Sequence, residues 1–316
     1  MTVLVLTHWF DPTADHVVEE LNRRSVPVFR CDVAEFPQRL TVAATLNGTW
    51  AGTLRNPTRE VELREVSGVL YRRPTAFDLP DGMSEQARRW ATAEARLGFG
   101  GLLASLDTWL NHPHAIAYAE YKPVQLQTAA QCGLNVPRTL ITNDPKQAQA
   151  FCEQVGEVVY KPMASTHVDQ DGEPRMIYAT RVLPEAFGDP GIAHTAHLLQ
   201  EWIEHEYAVR VAVVDGRFFA TAIYAHSHAA HVDWRSDYGA LTYEVAELPG
   251  DVRRGVRTFM ARLGLRFGAL DFLVRPDGTH VFLEINPNGQ WAWIEQAAPA
   301  IASAIADALT EGRTDE

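Results

Sequence analysis

Asp271, Glu284 and Asn286 have the types and spacing to hold a metal ion. They flank Pro276-Asp277-Gly278, a turn signal between two apolar, strand-like runs. A hairpin centred on Asp277-Gly278 places Asp271 directly opposite Glu284. Side chains facing each other across such a pair have Cβ atoms about 4.5–5.5 Å apart. Asn286 lies two residues beyond Glu284, hence on the same face; Phe272, Leu283 and Ile285 are expected on the other. Two carboxylates this close repel unless a cation lies between them. Hard oxygen donors suit Mg²⁺, which keeps waters and phosphate oxygens as its other ligands. No Cys or His completes a zinc set there. The same spacing also fits an exposed acidic hairpin that holds nothing.

The elements that must position these residues are legible in outline. Thr2 to Leu6, Val26 to Cys31 and Val66 to Tyr71 read as strands, with a helix over Asp11 to Arg24. That is a parallel α/β unit. Asn47-Gly48 marks a hairpin within Leu40 to Leu54. A long helical pattern runs from Ser84 to Leu110 and is broken by Asn111-His112-Pro113-His114, where a first domain, 1–112, is expected to end. A central unit, 113–200, starts with a helix at Lys122 to Cys132 and contains strands at Val136 to Thr142 and Val158 to Lys161. Its polar stretch Ala164 to Pro174 reads as a mobile loop. A C-terminal unit, 201–316, is expected to hold strands at Ala208 to Val214 and Phe218 to Tyr224, a helix at Arg254 to Leu263, the hairpin above, and a closing helix from Ala297 to Leu309. The tail from Thr310 to Glu316 is expected to fray.

Composition excludes some classes. The 316 residues are 46% hydrophobic and 22% charged, which is enough for a packed core. A net charge of −12 argues against a nucleic-acid partner. Three cysteines without paired spacing, and no apolar run of membrane length, suggest reduced thiols in a cytoplasmic protein with no membrane partner.

Glu284-Ile-Asn-Pro-Asn-Gly289 with Ala269-Leu-Asp-Phe272 resembles the ATP-grasp superfamily. In family order, so do Lys122-Pro with Gln125-Leu126, Gly133 to Thr142, Val159-Tyr-Lys161-Pro, Leu199-Gln-Glu-Trp-Ile203 and Arg210-Val. Four further features resemble the ATP-grasp maturases of ribosomally made peptides, the graspetide or microviridin-type synthetases, in particular their actinobacterial branch. They are Tyr71-Arg72-Arg73-Pro74, Asp233-Trp-Arg235-Ser-Asp-Tyr238, Asn286 to Gln290 and Trp293-Ile-Glu295. The resemblance implies an α/β, ATP-grasp fold with an N-terminal pre-ATP-grasp domain. It implies ATP and Mg²⁺ as cofactors, a precursor peptide with a leader and an acidic core as partner, and a homodimer as a possible assembly.

Roles follow from it residue by residue. Lys161 and Lys122 would meet the nucleotide. Gln200, Glu201, Trp202 and Ile203 would line the adenine pocket, with main-chain groups of Glu201 and Ile203 on the base edge. Many relatives place an acidic ribose contact where Ala208 stands, so Glu206 or Glu204 is expected to substitute. Arg210 would hold phosphate oxygens; Arg72, Arg73 and Arg235 would bind the acceptor carboxylate. Asp271, Glu284 and Asn286 would hold metal. His226, His228 and His231 read as a polar strand edge, and the segment around Arg175 to Leu183 as part of a leader-docking surface. The implied reaction activates an Asp or Glu side chain as an acyl phosphate, which a Ser, Thr or Lys side chain then attacks to give an ω-ester or ω-amide ring. Two other readings stay open: a carboxylate–amine ligase for a free amino acid, small peptide or protein tail, and a non-catalytic ATP-binding module.

Overall fold

The computed structural model describes residues 1–164, 167–170 and 173–311. The expected frayed tail lies outside these residues from 312 onward, and Thr310 still belongs to the last helix.

The N-terminal part begins with β1 (Thr2–Leu6), α1 (Pro12–Arg23) and β2 (Val28–Cys31). Pro12 starts α1, and the Asp11 side chain caps it by accepting from the Ala14 N–H at 3.2 Å. An exposed antiparallel sheet follows, β3 (Thr41–Asn47), β4 (Thr49–Arg55) and β5 (Glu60–Glu62), then β6 (Val66–Tyr71). Strands β2, β1 and β6 form a parallel sheet in that order. The long helical pattern resolves into α2 (Glu85–Glu94), a π-helical turn (Ala95–Phe99) and α3 (Gly100–Ala104), so it ends six residues earlier than the sequence suggested. Gly98, Gly100 and Gly101 weaken helix in that stretch.

Helices α4 (Pro113–Ala119) and α5 (Lys122–Gln131) come next. The central layer is built from β7 (Thr139–Thr142), α6 (Pro145–Val155), β8 (Val158–Lys161), the hairpin β9 (His167–Gln170) and β10 (Glu173–Met176), β11 (Thr180–Val182), and β12 (His197–Glu201). Its sheet runs β11-β8-β12-β7. The stretch 164–174 falls partly outside the described residues; within them the chain pairs as an antiparallel hairpin rather than an irregular loop.

The last layer comprises β13 (Tyr207–Val214), β14 (Arg217–Ala225), α7 (His228–Val232), β15 (Leu241–Ala246), α8 (Gly250–Leu263), β16 (Phe267–Val274), β17 (His280–Asn286) and α9 (Ala298–Thr310). Its antiparallel sheet runs β15-β14-β13-β16-β17. Asp215 and Gly216, both at positive φ, make the tight turn between β13 and β14.

Packing cuts across the sequence boundaries. Ala119, Leu126 and Ala129 of α4 and α5 bury into the core beneath β13, β16 and β17, not into the central layer. Helix α9 shares a core with α1, β1 and β6 at the other end of the chain. Gly68 of β6 has no room for a side chain, since a Cβ there would lie 2.2 Å from the Leu309 carbonyl oxygen. Among the described residues no helix is long and apolar enough to cross a membrane.

Candidate active site

The register that makes the metal face comes from two offsets that cancel. Near the turn, Phe272 pairs with Phe282 and Val274 with His280, one residue away from a hairpin centred on Asp277-Gly278. A β-bulge at Leu283 restores the count, and Asp271 does face Glu284. The bulge also turns Leu283 into the cleft, whereas Phe272 and Ile285 stay in the core; the expected placement of Leu283 on the far side is corrected.

These carboxylates sit in a cleft of about 650 Å³ between the central layer and the five-stranded sheet, of a size to hold a small-molecule ligand. Its polar end is rich in charge. Lys122, at the start of α5, is ion-paired with Glu284. Arg235 approaches the other Glu284 oxygen at 3.7 Å and is itself held at 2.8 Å by both oxygens of Asp233. Arg73 lines the same wall and makes no ion pair among the described residues. Burial opposes the charged form of Glu284, but Lys122 and Arg235 outweigh it and hold the carboxyl at about 2. Burial pushes the Asp271 carboxyl up despite Arg210 beside it, with Glu284 adding to the rise. Burial lowers Lys161 to about 8, against the pull of Glu284 and helped by Lys122 and Arg235.

The donor set fits a divalent cation. Asp271 Oδ1 is buried without a hydrogen-bond partner, and its other oxygen accepts from Arg210 at 2.8 Å. Asn286 lines the same end, its amide oxygen accepting from the Asn288 N–H at 3.2 Å. Asp271, Glu284 and Asn286 would hold the ion.

The opposite end suits a heterocyclic base. The Glu201 N–H donates to the Arg138 carbonyl and the Trp202 N–H to the Glu157 carbonyl. The Glu201 amide is therefore unavailable to a base, while the Ile203 N–H has no partner among the described residues. Gln200 is buried, donates to Thr139 Oγ1 at 3.1 Å, and keeps an unpartnered acceptor, Oε1. Glu206 lines the cleft beside Ala208; Glu204 instead accepts from the Trp202 indole.

Two expected site residues do not line the cleft. Arg210 lies behind Asp271, donating to it and to the Gln290 carbonyl at 3.1 Å. It can orient and screen Asp271 but is screened from the cavity by it. Gly289 makes room, since a Cβ there would come 2.8 Å from Arg210 Nη2 and 2.4 Å from Ala269 Cβ. Arg72 is corrected more strongly. Leaving β6, adjacent residues point to opposite sides; Arg73 reaches the cleft and Arg72 the N-terminal core, where Nε donates to Asp11 at 2.8 Å and the pair is almost fully buried. Removing one partner of a buried pair costs about 3–5 kcal/mol. Arg72→Ala should therefore lower stability by about that amount in denaturant melts, with turnover per folded molecule retained, and Arg73→Ala should shift stability by no more than about 0.5 kcal/mol while slowing turnover.

Several positioning residues gave little or no sequence signal of their role. Gln125 donates to the Ile285 carbonyl and accepts from its N–H, both at 3.0 Å, which fixes Lys122 and α5 to the metal strand. Asn111, read from sequence as a helix break, bonds Phe267 and Pro287 and locks the N-terminal part onto β16 and the metal loop. Asp233 clamps Arg235 and accepts from the Ala179 N–H at 3.0 Å. At the base end, His231 stacks on His205 with centroids 4.2 Å apart, Trp202 adjoining both. His205 and His231 thus present ring surfaces; His228 and His231 lie in α7 rather than on the expected strand edge, and among the described residues no cluster of three or more His, Cys, Asp or Glu is arranged for a metal.

Residues 2–117 match the family described as the MvdD pre-ATP grasp domain. No curated protein matches the chain. Among solved structures, the chain is similar to macrocyclase MdnC of Microcystis aeruginosa MRC, bound with precursor peptide MdnA. Identity is 30%, the match covers 98% of this chain and 99% of that one, and the TM-score is 0.85. It is similar to macrocyclase MdnB of the same organism at 31% identity, with 98% and 99% covered and a TM-score of 0.80. A RiPP-associated ATP-grasp ligase of Chryseobacterium gregarium, in complex with ADP and a leader and core peptide, shares 27% identity over 98% and 96%, with a TM-score of 0.88. Fold and site together define an ATP-grasp ligase with a pre-ATP-grasp domain. The chain belongs to the family of ATP-grasp peptide macrocyclases.

Proposed function

We propose that the enzyme uses ATP and Mg²⁺ to activate Asp or Glu side chains of a ribosomal precursor peptide as acyl phosphates and closes them into ω-ester or ω-amide rings. One observation carries this reading. Glu284 and the half-partnered Asp271 face a wall of cations in the same cleft whose other end offers the Ile203 N–H and Gln200 Oε1. Two relatives that share this fold along nearly their whole length, MdnC and MdnB, are macrocyclases.

The base would stack between Leu283 and Ile203, with the Ile203 N–H donating to its edge. Glu206 takes the ribose contact. Lys161 and Lys122 neutralise phosphate charge, and Lys122 leaves Glu284 as it does so. Asp271, Glu284 and Asn286 would hold the divalent ion, which when bound would supply charge stabilisation at the transferred phosphoryl group. Arg73 and Arg235 orient the acceptor carboxylate against the γ-phosphate, and Arg235 then holds the acyl phosphate. Among the described residues that line the cleft there is no Ser, Thr or Cys to form a covalent intermediate, so the contribution of the chain is positioning and electrostatics.

Precursor recognition would use the surface at 175–183, where Met176 and Leu183 are exposed. A homodimer and a cytoplasmic location complete the reading. Its test is mass spectrometry of the peptides encoded by short reading frames flanking this gene, after incubation with enzyme and MgATP. Loss of one water per bond is expected. Intact peptides, with ADP released on free amino acids, would favour the small-molecule ligase.

Lys161 gives a pH prediction. With a value near 8 it is cationic below that pH and neutral above it. Bound phosphate favours the cation, so the loss is felt above 8. Nucleotide affinity measured by calorimetry should be flat from pH 6 to about 7.5 and fall as pH rises through 8 to 9. Lys161→Met should bind weakly throughout and lose that pH dependence.

A further inference from the structure

Four aromatic rings form a cluster that reaches the cleft at its Arg235 end. Trp234 lines the cleft wall. Its ring centroid is 5.1 Å from Trp293 and, edge-on, 5.8 Å from Tyr238; Trp293 is in turn 5.5 Å from Tyr243. These are favourable aromatic separations, so the rings support one another. Yet none is a core residue: Tyr238 is 57% exposed and the other three are half-buried. Contiguous aromatic surface left open to water marks an interaction site.

The platform's attachments say what that site faces. Trp234 immediately precedes Arg235, and Trp293 follows the 286–290 loop that carries Asn286. Tyr243 is brought alongside by the edge strand β15. The cluster thus meets the cleft through Trp234, beside Arg235, while Tyr238, Tyr243 and Trp293 are not among the residues that line the cavity assigned to the nucleotide. Charge sorts what enters: Lys122, Lys161, Arg73 and Arg235 draw an acidic side chain past the rings, and the rings, carrying no charge, retain an uncharged one.

We propose that Trp234, Tyr238, Tyr243 and Trp293 seat the nucleophile-bearing residue of the peptide and keep water from the acyl phosphate. This rests on the macrocyclase reading above. In ring closure the nucleophile's oxygen or nitrogen attacks the acyl carbon and the carbon–oxygen bond to phosphate breaks. Phosphate leaves with the bonding pair, and the nucleophile's proton passes to it or to solvent. Water attacking the same carbon breaks the same bond and returns the free carboxylate, so ATP is consumed without a ring. The attacking side chain must reach that carbon from the side not occupied by the nucleotide, which is where the rings lie.

The test is coupling. Trp293→Ala and Tyr243→Ala lie outside the nucleotide cavity, and the readout is the ratio of ADP released to rings formed, which takes account of any change in ADP release itself. The probes are the synthetic peptides encoded beside this gene, with hydroxylamine as a small surrogate nucleophile. ADP released per water lost from the peptide should rise at least fivefold in both variants, hydroxylamine should capture more hydroxamate than in the parent, and Trp293→Phe should restore coupling. An unchanged ratio in a variant that still releases ADP would overturn the role of the platform alone. Loss of ADP release in Trp293→Ala, at an unchanged melting temperature, would assign that ring to nucleotide handling and also overturn it. If Trp293→Ala fails to fold, Tyr243→Ala on the exposed edge strand decides by the same ratio. Absence of peptide-stimulated ADP release in the parent would overturn the macrocyclase reading itself, and the platform with it.

Discussion

Glu284→Gln should abolish peptide-stimulated ADP release with the fold intact, and Asp271→Asn should do the same with a measurable loss of stability. Each change removes a charge and keeps the volume. Stabilisation of a transferring phosphoryl group by a bound divalent ion is worth several kcal/mol, so the expected fall is at least about 10²- to 10³-fold at about 1.4 kcal/mol per tenfold. The two differ in what they leave behind. Glu284 is half-buried, and its partners Lys122 and Arg235 can turn to solvent or to Asp233. Arg210 beside Asp271 is almost fully buried. The amide introduced by Asp271→Asn would keep an acceptor for it but not the charge, a loss of about 1–3 kcal/mol. The measurements are ADP release at ordinary Mg²⁺ and thermal melts of both variants. Full activity in either would remove that residue from the metal set. Because Asp271 is raised by burial, metal affinity should also decline as pH falls through its titration, while Glu284, held at about 2, stays charged.

Arg235→Ala should slow dehydration of the peptide roughly 10- to 150-fold and leave nucleotide affinity nearly unchanged. A charge-assisted contact to the acyl phosphate contributes about 1.5–3 kcal/mol, which converts to that range. A merely structural role would show differently: Asp233 is almost fully buried, so loss of its partner would lower stability by about 3–5 kcal/mol and leave dehydration per folded molecule unchanged. The geometry separates the two accounts. Asp233 grips Nε and Nη2, so Nη1 is the atom left facing Glu284. Paired measurements decide it: calorimetry for the nucleotide, and mass spectrometry for water lost per bond. Normal dehydration would exclude the role; weakened ATP binding would reassign Arg235 to the nucleotide.

The sequence could be read furthest where local rules and chemistry coincide. Strand β6 and the run Val158–Lys161 were legible to the residue because short apolar runs end at charged or proline-containing turns. The facing of Asp271 and Glu284 was legible, but through a compensating error: neither the turn offset nor the bulge at Leu283 has a signature that periodicity detects. Arg72 and Arg73 look equivalent as a dipeptide. Strand alternation separates them, yet only the fold reveals Asp11 waiting on one side. Arg210, expected to hold phosphate oxygens, turns to Asp271 instead, a pairing that depends on the register between β13 and β16, residues far apart in sequence. Gln125, Asn111 and Asp233 act through contacts of the same long range, which no local pattern encodes.

The embrace of β1, α1 and β6 by α9 has a consequence for biogenesis. The first strands leave the ribosome nearly three hundred residues before the helix that completes their core. At about 5–20 residues per second, that is a delay of roughly 15–60 s. During this interval the apolar face later covered by Ile301, Ile305 and Leu309 has no native cover. Folding of the N-terminal part is therefore coupled to the emergence of α9, and ribosome-stalled chains lacking α9 should remain protease-sensitive over β1, α1 and β6.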